Sequence, residues 1–186
     1  MNRQTLMFGL LFLAALACWQ VLDEKPQALD NAKKEHFQPD FVAQNVVTRE
    51  FDSNGRLTRH LESRFTEYFR SIDMAQLQEP RLTLYNQQGI PEWKISAKEG
   101  VWNVGDNAVL RNDIHVDGLL PDAMVRTIDT SYLELDLNSK DVRSNSKVIA
   151  KGDLVQTEGV GLKGNLDKRY FELLEQSHAI YFNQKR

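Results

Sequence analysis

The chain has 186 residues, 26% of them charged, and a formal net charge of −3. That size fits one folded domain with a short appendage, and the charge excludes the basic excess of a nucleic-acid binder. A single cysteine, Cys18, rules out an intramolecular disulfide, so the body is either cytosolic or exported without disulfide chemistry.

The first element is Leu6–Leu22, "LMFGLLFLAALACWQVL". At about 17 uncharged residues it falls between a secretory core of about 7–15 and a spanning helix of about 20. Arg3 precedes it and "DEK" follows, which places the N-terminus in the cytoplasm and the body outside. Three readings stay open on these residues. An anchor over residues 1–24 is favoured because Trp19, Val21 and Leu22 prolong the apolar character. "ALA" at Ala15–Ala17 fits a cleaved signal. "AALAC" loosely resembles a lipoprotein signal ending at Cys18, but Ala15 stands where an aliphatic residue is usual. The next stretch, "DEKPQALDNAKKEHFQPD", is polar and aperiodic, with two prolines, and predicts a tether over residues 25–38.

From residue 39 to 186 the period is two, which predicts an all-β body. "LTRHLESRF" puts Leu57, Leu61 and Phe65 on one face. "WKISAKEGVW" puts Trp93, Ile95, Ala97 and Val101 on one face, with Lys94, Ser96 and Lys98 opposite. "SYLELDLN" alternates Leu133, Leu135 and Leu137 with Glu134 and Asp136, and "HAIYF" closes the chain as a short strand. Turn signals lie between, among them the Asn-Gly of "DSNGR", "NQQGIP", "NVGDN" and "NSKD". Stretches starting at Trp93, Arg126 and Val155 share a layout, a weak repeat of about thirty residues. Short strands with regular turns predict a sandwich, barrel or roll, and stacked β units leave only the terminal edges open for another chain.

No catalytic constellation is visible. "GVGLKG" (Gly159, Gly161, Gly164) matches a dinucleotide fingerprint but has no room for a βαβ unit after it, so its glycines are expected at bends. His36, His60, His115 and His178 lack metal-ligand spacing. Glu134 and Asp136 read as a solvated strand face. Neither cofactor nor metal is expected. What remains is a binder or scaffold. Its inward apolar side chains (Leu61, Phe65, Leu77, Leu82, Leu84, Ile95, Val116, Leu135, Leu162, Phe171, Tyr181) are either a filled core or a groove wide enough for an acyl chain.

The order of "EPRLTLYNQQGIPEWKISAKEG", "VLRNDIHVDGLLPDAMVRTIDTSYLELDL" and "GVGLKGNL" after one apolar run resembles the LptC family of lipopolysaccharide-export proteins, from the apolar run to about Phe182. The resemblance implies a retained helix and an open, twisted β-jellyroll of the OstA-like type. It implies a single-pass protein of the inner membrane, N-terminus cytoplasmic and C-terminal domain periplasmic, with no enzymatic activity of its own. It further implies a partnership with the LptF and LptG permease subunits and the LptB ATPase. Lipopolysaccharide would be received there and passed to the bridge protein LptA.

Carried onto this sequence, the family's groove positions match Leu77, Phe171 and Tyr181, with Phe65, Leu84 and Ile95 next. Gly152 matches a glycine of the late strands and is expected to be a bend that keeps the roll open. The first strand, with Val46, Val47 and Phe51, is expected to pair with the transporter. The last, with His178, Ile180 and Phe182, is expected to pair with the bridge protein. Two alternatives keep the same fold. A soluble periplasmic bridge or chaperone would lose its signal, which the mature N-terminal mass reveals. A structural regulator of the transporter would never touch lipid, which lipid crosslinking reveals.

Overall fold

The computed structural model describes residues 38–103, 107–121 and 123–182. The chain divides into two units, Met1–Phe37 and Gln38–Arg186, and all described residues belong to the second. The expected spanning helix and the tether up to residue 37 lie outside the described residues. Among the described residues no helix is long and apolar enough to cross a membrane.

The body is all-β and jellyroll-like. Its strands are β1 (Phe41–Phe51), β2 (Leu57–Phe69), β3 (Met74–Gln78), β4 (Arg81–Tyr85), β5 (Pro91–Ser96), β6 (Glu99–Asn103), β7 (Asn107–Gly118), β8 (Thr127–Asp136), β9 (Asp141–Lys151), β10 (Val155–Asn165) and β11 (Tyr170–Tyr181). They form one sheet, antiparallel throughout, in which β7 to β11 follow one another in sequence order and β1 lies beside β2. Two positions in the sheet are each filled by two short strands. β3 and β4 both lie against β2, and β5 and β6 both lie against β7. The first interruption falls at Glu79–Pro80, where proline has no N–H to give a ladder.

The interruptions belong to one line that crosses the whole sheet. Asn45, Glu79, Asn112, Asp113, Gly161 and Gln176 all have positive φ, between 47° and 77°. Read through the strand registers they lie at nearly the same level, on β1, at the β3–β4 join and on β7, β10 and β11. A left-handed residue turns a strand sharply, at roughly 1–2 kcal/mol for a residue with a Cβ. Asn and Asp bear it best and glycine escapes it, as Gly161 does. The sheet is therefore creased, and its two leaves fold onto each other. The β5 leaf holds β4 and β5, the β6 leaf holds β3 and β6, and the long strands run through both.

The crease explains where the period-two reading fails. To keep one face inside on both leaves, a strand must change which residues face inward as it crosses. On β2 the inward residues are Leu61 and Ser63 before the crease and Thr66 after it, all buried. Phe65, expected beside Leu61, pairs with Gln44 and Gln78. It lines an outer-face groove with Arg64, Glu67 and Arg111. Val101 likewise leaves the face of Trp93 and Ile95, because Gly100 turns inward and Val101 pairs with Val109. Buried hydroxyls repair the broken ladders. Ser63 Oγ donates to the carbonyls of Phe65 (2.8 Å) and Gln78 (3.0 Å), and Thr130 Oγ1 donates to that of Lys147 (3.0 Å). These part-buried bonds contribute about 1 kcal/mol each.

The faint thirty-residue repeat is the creased hairpin, seen as β8–β9 and β10–β11. "GVGLKG" lies in β10, with Gly161 at the crease. Between the leaves lies a single apolar core. Val148, Ile95, Ile128, Leu133, Leu135 and Leu166 are essentially closed to solvent. Each such side chain contributes about 1.5–3 kcal/mol.

Candidate functional site: the inner face, its clasp and two open edges

Besides the shared core, a polar and aromatic clasp fastens the leaves. Trp93 on the β5 leaf donates its ring N–H to the carbonyl of Leu166, just after β10 on the β6 leaf, at 3.0 Å in a buried setting. Its ring meets Phe171 edge-on, centroids 5.5 Å apart. Phe171 in turn lies over Gly164, where a Cβ would sit 2.7 Å from its ring. Next to Trp93, the Glu92 carboxylate accepts a hydrogen bond from Arg169 Nε at 2.8 Å and is only 7% exposed. These contacts join residues 73 and 77 positions apart. Sequence periodicity carries no signal for such pairs, although "IPEW" holds two of the residues.

The expected groove residues fall into three groups. Leu77, Leu84 and Ile95 are buried in the core between the leaves. Phe171 is half-buried against that core, at the clasp. Phe65 is on the outer face, as described, so the expectation of an inward Phe65 is corrected. Tyr181 shares the inner side by register, through Ala179, Thr157, Ala150 and the buried Ile128. It is nevertheless 80% exposed, because it ends the last strand and no leaf covers it. Gly152 stands at the turn between β9 and β10. Its N–H closes a turn onto Val155 O at 2.7 Å, and a Cβ there would collide with the carbonyl of Met124. The requirement is clearance for the β7–β8 connection.

Both edges of the sheet are open among the described residues. β1 pairs only with β2 and β11 only with β10. On β1, Val46 is half-buried while Val47 and Phe51 are exposed. Phe41 stacks obliquely on Tyr68, centroids 5.1 Å apart. On β11, everything from Leu174 onward is exposed, including His178, Ile180 and Phe182. Long, uncovered, apolar edges are templates for strand addition.

The polar clusters are structural. Glu134 accepts from the Tyr132 hydroxyl, and Asp136 accepts from the N–H groups of Asn138 and Ser139, which hold its carboxyl below its usual range. Among the described residues no group of His, Cys, Asp and Glu could hold a metal. On the outer face of the β5 leaf, His115 reaches Asp129 at 2.5 Å and Asp117 at 3.0 Å, and Lys151 also approaches Asp129. The Asp129 hydrogen bond, against some desolvation, raises the His115 pKa above 6.5. A raised histidine pKa stabilises the fold fully below the unfolded value and loses that contribution as pH rises through the folded value. Stability should therefore fall from about pH 6.5 upward, and His115→Gln should flatten that slope in thermal melts across the window. An unchanged slope would remove His115 as its source.

The family described as "Lipopolysaccharide-assembly, LptC-related" matches residues 9–182. The chain belongs to the LptC family. The "Lipopolysaccharide export system protein LptC" of Escherichia coli is 25% identical over 148 residues, covering 80% of this chain and 78% of that protein. The protein of that name from Haemophilus influenzae is 24% identical, covering 96% and 94%. The LptC match spans all eleven strands, so the crease, the clasp, the inner face and both edges lie within it.

Proposed function

We propose that this chain is the bitopic inner-membrane component of a lipopolysaccharide export machine. Its apolar run stays as an anchor over residues 1–24, residues 25–38 tether it, and residues 39–186 form the periplasmic lipid-binding body. The body receives lipopolysaccharide from the LptB, LptF and LptG transporter and hands it to LptA. It is a passive conduit: acyl chains lie between the leaves, sugars stay in water, and direction comes from the pump. Leu77, Leu84, Ile95, Phe171 and Tyr181 contact the lipid. β1 pairs with the transporter and β11 with the bridge protein.

One observation carries this reading. In a chain of the LptC family, a largely apolar inner face runs between two strand edges that are uncovered among the described residues. Such a body can be inserted, edge to edge, into a longer folded sheet whose inside is continuous. Deleting residues 177–182 tests the hand-over edge. Those residues are exposed, so the fold should survive with a melting temperature within a few degrees, while capture of LptA is lost. Unchanged capture would end the edge-pairing reading.

A further inference from the structure

The inner face carries a charge that an acyl-chain surface does not need. Arg59 lies on β2 directly across from Leu84 and two residues before Leu61, both buried, so it points to the inner side of the β5 leaf. By register it is the one cation on the inner face of the strands among the described residues, and its side chain is only 15% exposed. Its partner is Glu50, directly opposite on β1. Glu50 is 46% exposed and sits on the edge strand. The cation is thus held in place by a carboxylate that water already reaches.

We propose that Arg59 is the receptor for a phosphate on the headgroup of the transported lipid, with Glu50 as the counter-ion that holds the site between deliveries. This rests on the lipid-conduit reading above. Leu61, Leu82 and Leu84 lie on the same inner face and suit acyl chains. An amphiphile seated there presents its charged group towards the strand ends, where Arg59 stands near the start of β2. A guanidinium stays ionised at any working pH and takes an oxyanion through two parallel N–H bonds. A phosphate replacing Glu50 keeps the buried cation paired, so exchange avoids leaving a bare charge in the interior.

The test uses the full chain in detergent, with intact lipopolysaccharide and phosphatase-treated lipopolysaccharide as probes. Wild type should bind the intact form about tenfold more tightly, the worth of one charge-assisted bidentate contact. Arg59→Gln should bind both forms equally, at the level of the treated one. Glu50→Gln should keep or increase the preference for the intact form, because the competing carboxylate is gone; a lost preference would overturn the proposal. Melting temperatures of both variants confirm that each is folded. A wild type that binds both forms equally, or an Arg59→Gln variant that keeps the preference, overturns the phosphate assignment and leaves the conduit intact. A loss in Arg59→Gln that is equal for both forms assigns Arg59 to packing or to a sugar carboxylate and also overturns it. Binding of neither form by wild type overturns the conduit reading together with this one.

Discussion

Trp93→Ala lowers the stability of the body by about 3–5 kcal/mol, the cost of emptying a buried aromatic site. Several contacts go with the one side chain. The indole fills the space between the leaves, bonds the Leu166 carbonyl at 3.0 Å and packs against Phe171. For a body of this size each kcal/mol moves the melting temperature by about 2–4 °C, so calorimetry should record a drop of roughly 6–20 °C. Trp93→Phe separates the contributions. It keeps a ring against Phe171 but loses the N–H, and Leu166 O still accepts from Arg169 N at 3.3 Å. That variant should lose about 1 kcal/mol from the bond itself. If Trp93→Ala melts within two or three degrees of wild type, the leaves are held by the crease and core alone and the clasp is incidental.

The second large effect separates two residues that the family resemblance treats alike. Leu77→Asp places a carboxylate at a site only 6% exposed, with no partner supplied, and such burial costs several kcal/mol. The variant should fail to fold, or fold only with its acid protonated, and a loss of lipid loading there says nothing about lipid contact. Tyr181→Asp has no such confusion. At 80% exposure the change should alter stability by no more than about 0.5 kcal/mol. Lipopolysaccharide loading should still fall strongly, because the new charge stands where acyl chains leave the inner side. Undiminished loading in a folded Tyr181→Asp protein would place the exposed end of β11 off the lipid path.

The fold class was readable in the sequence because the alternation holds along each straight stretch. Leu61, Leu82, Leu84, Ile95, Val116, Leu135 and Leu162 are all buried as the period implied. The reading failed where a strand crosses the crease. Phe65 and Val101 keep the period in sequence but lie beyond a bend that exchanges the faces. The only local signs of that line are scattered: Asn and Asp at Asn45, Asn112 and Asp113, a glycine at Gly161, and prolines such as Pro80. The clasp had no sign at all, since Glu92–Arg169 and Trp93–Leu166 are made by the fold and not by spacing. Arg59 falls by period on the face of Leu57 and Leu61 in "LTRHLESRF", but its charge hides that placement, and its pairing with Glu50 comes only from the register of β1 on β2. The open edges, by contrast, are the first and last strands, β1 and β11, each with one neighbour among the described residues, as the terminal position of those strands implied.

In the proposed conduit, lipid travels along the inner face, between the leaves. Site-specific photo-crosslinking in cells tests it most directly, with the probe at Leu77 and Tyr181 on the inner side and at Phe65 and Lys94 on the outer. An ATP-dependent lipopolysaccharide adduct is expected from the inner pair and none from the outer pair. Adducts from Phe65 as readily as from Leu77, or none from either inner site in a protein still bound to its transporter, would contradict it.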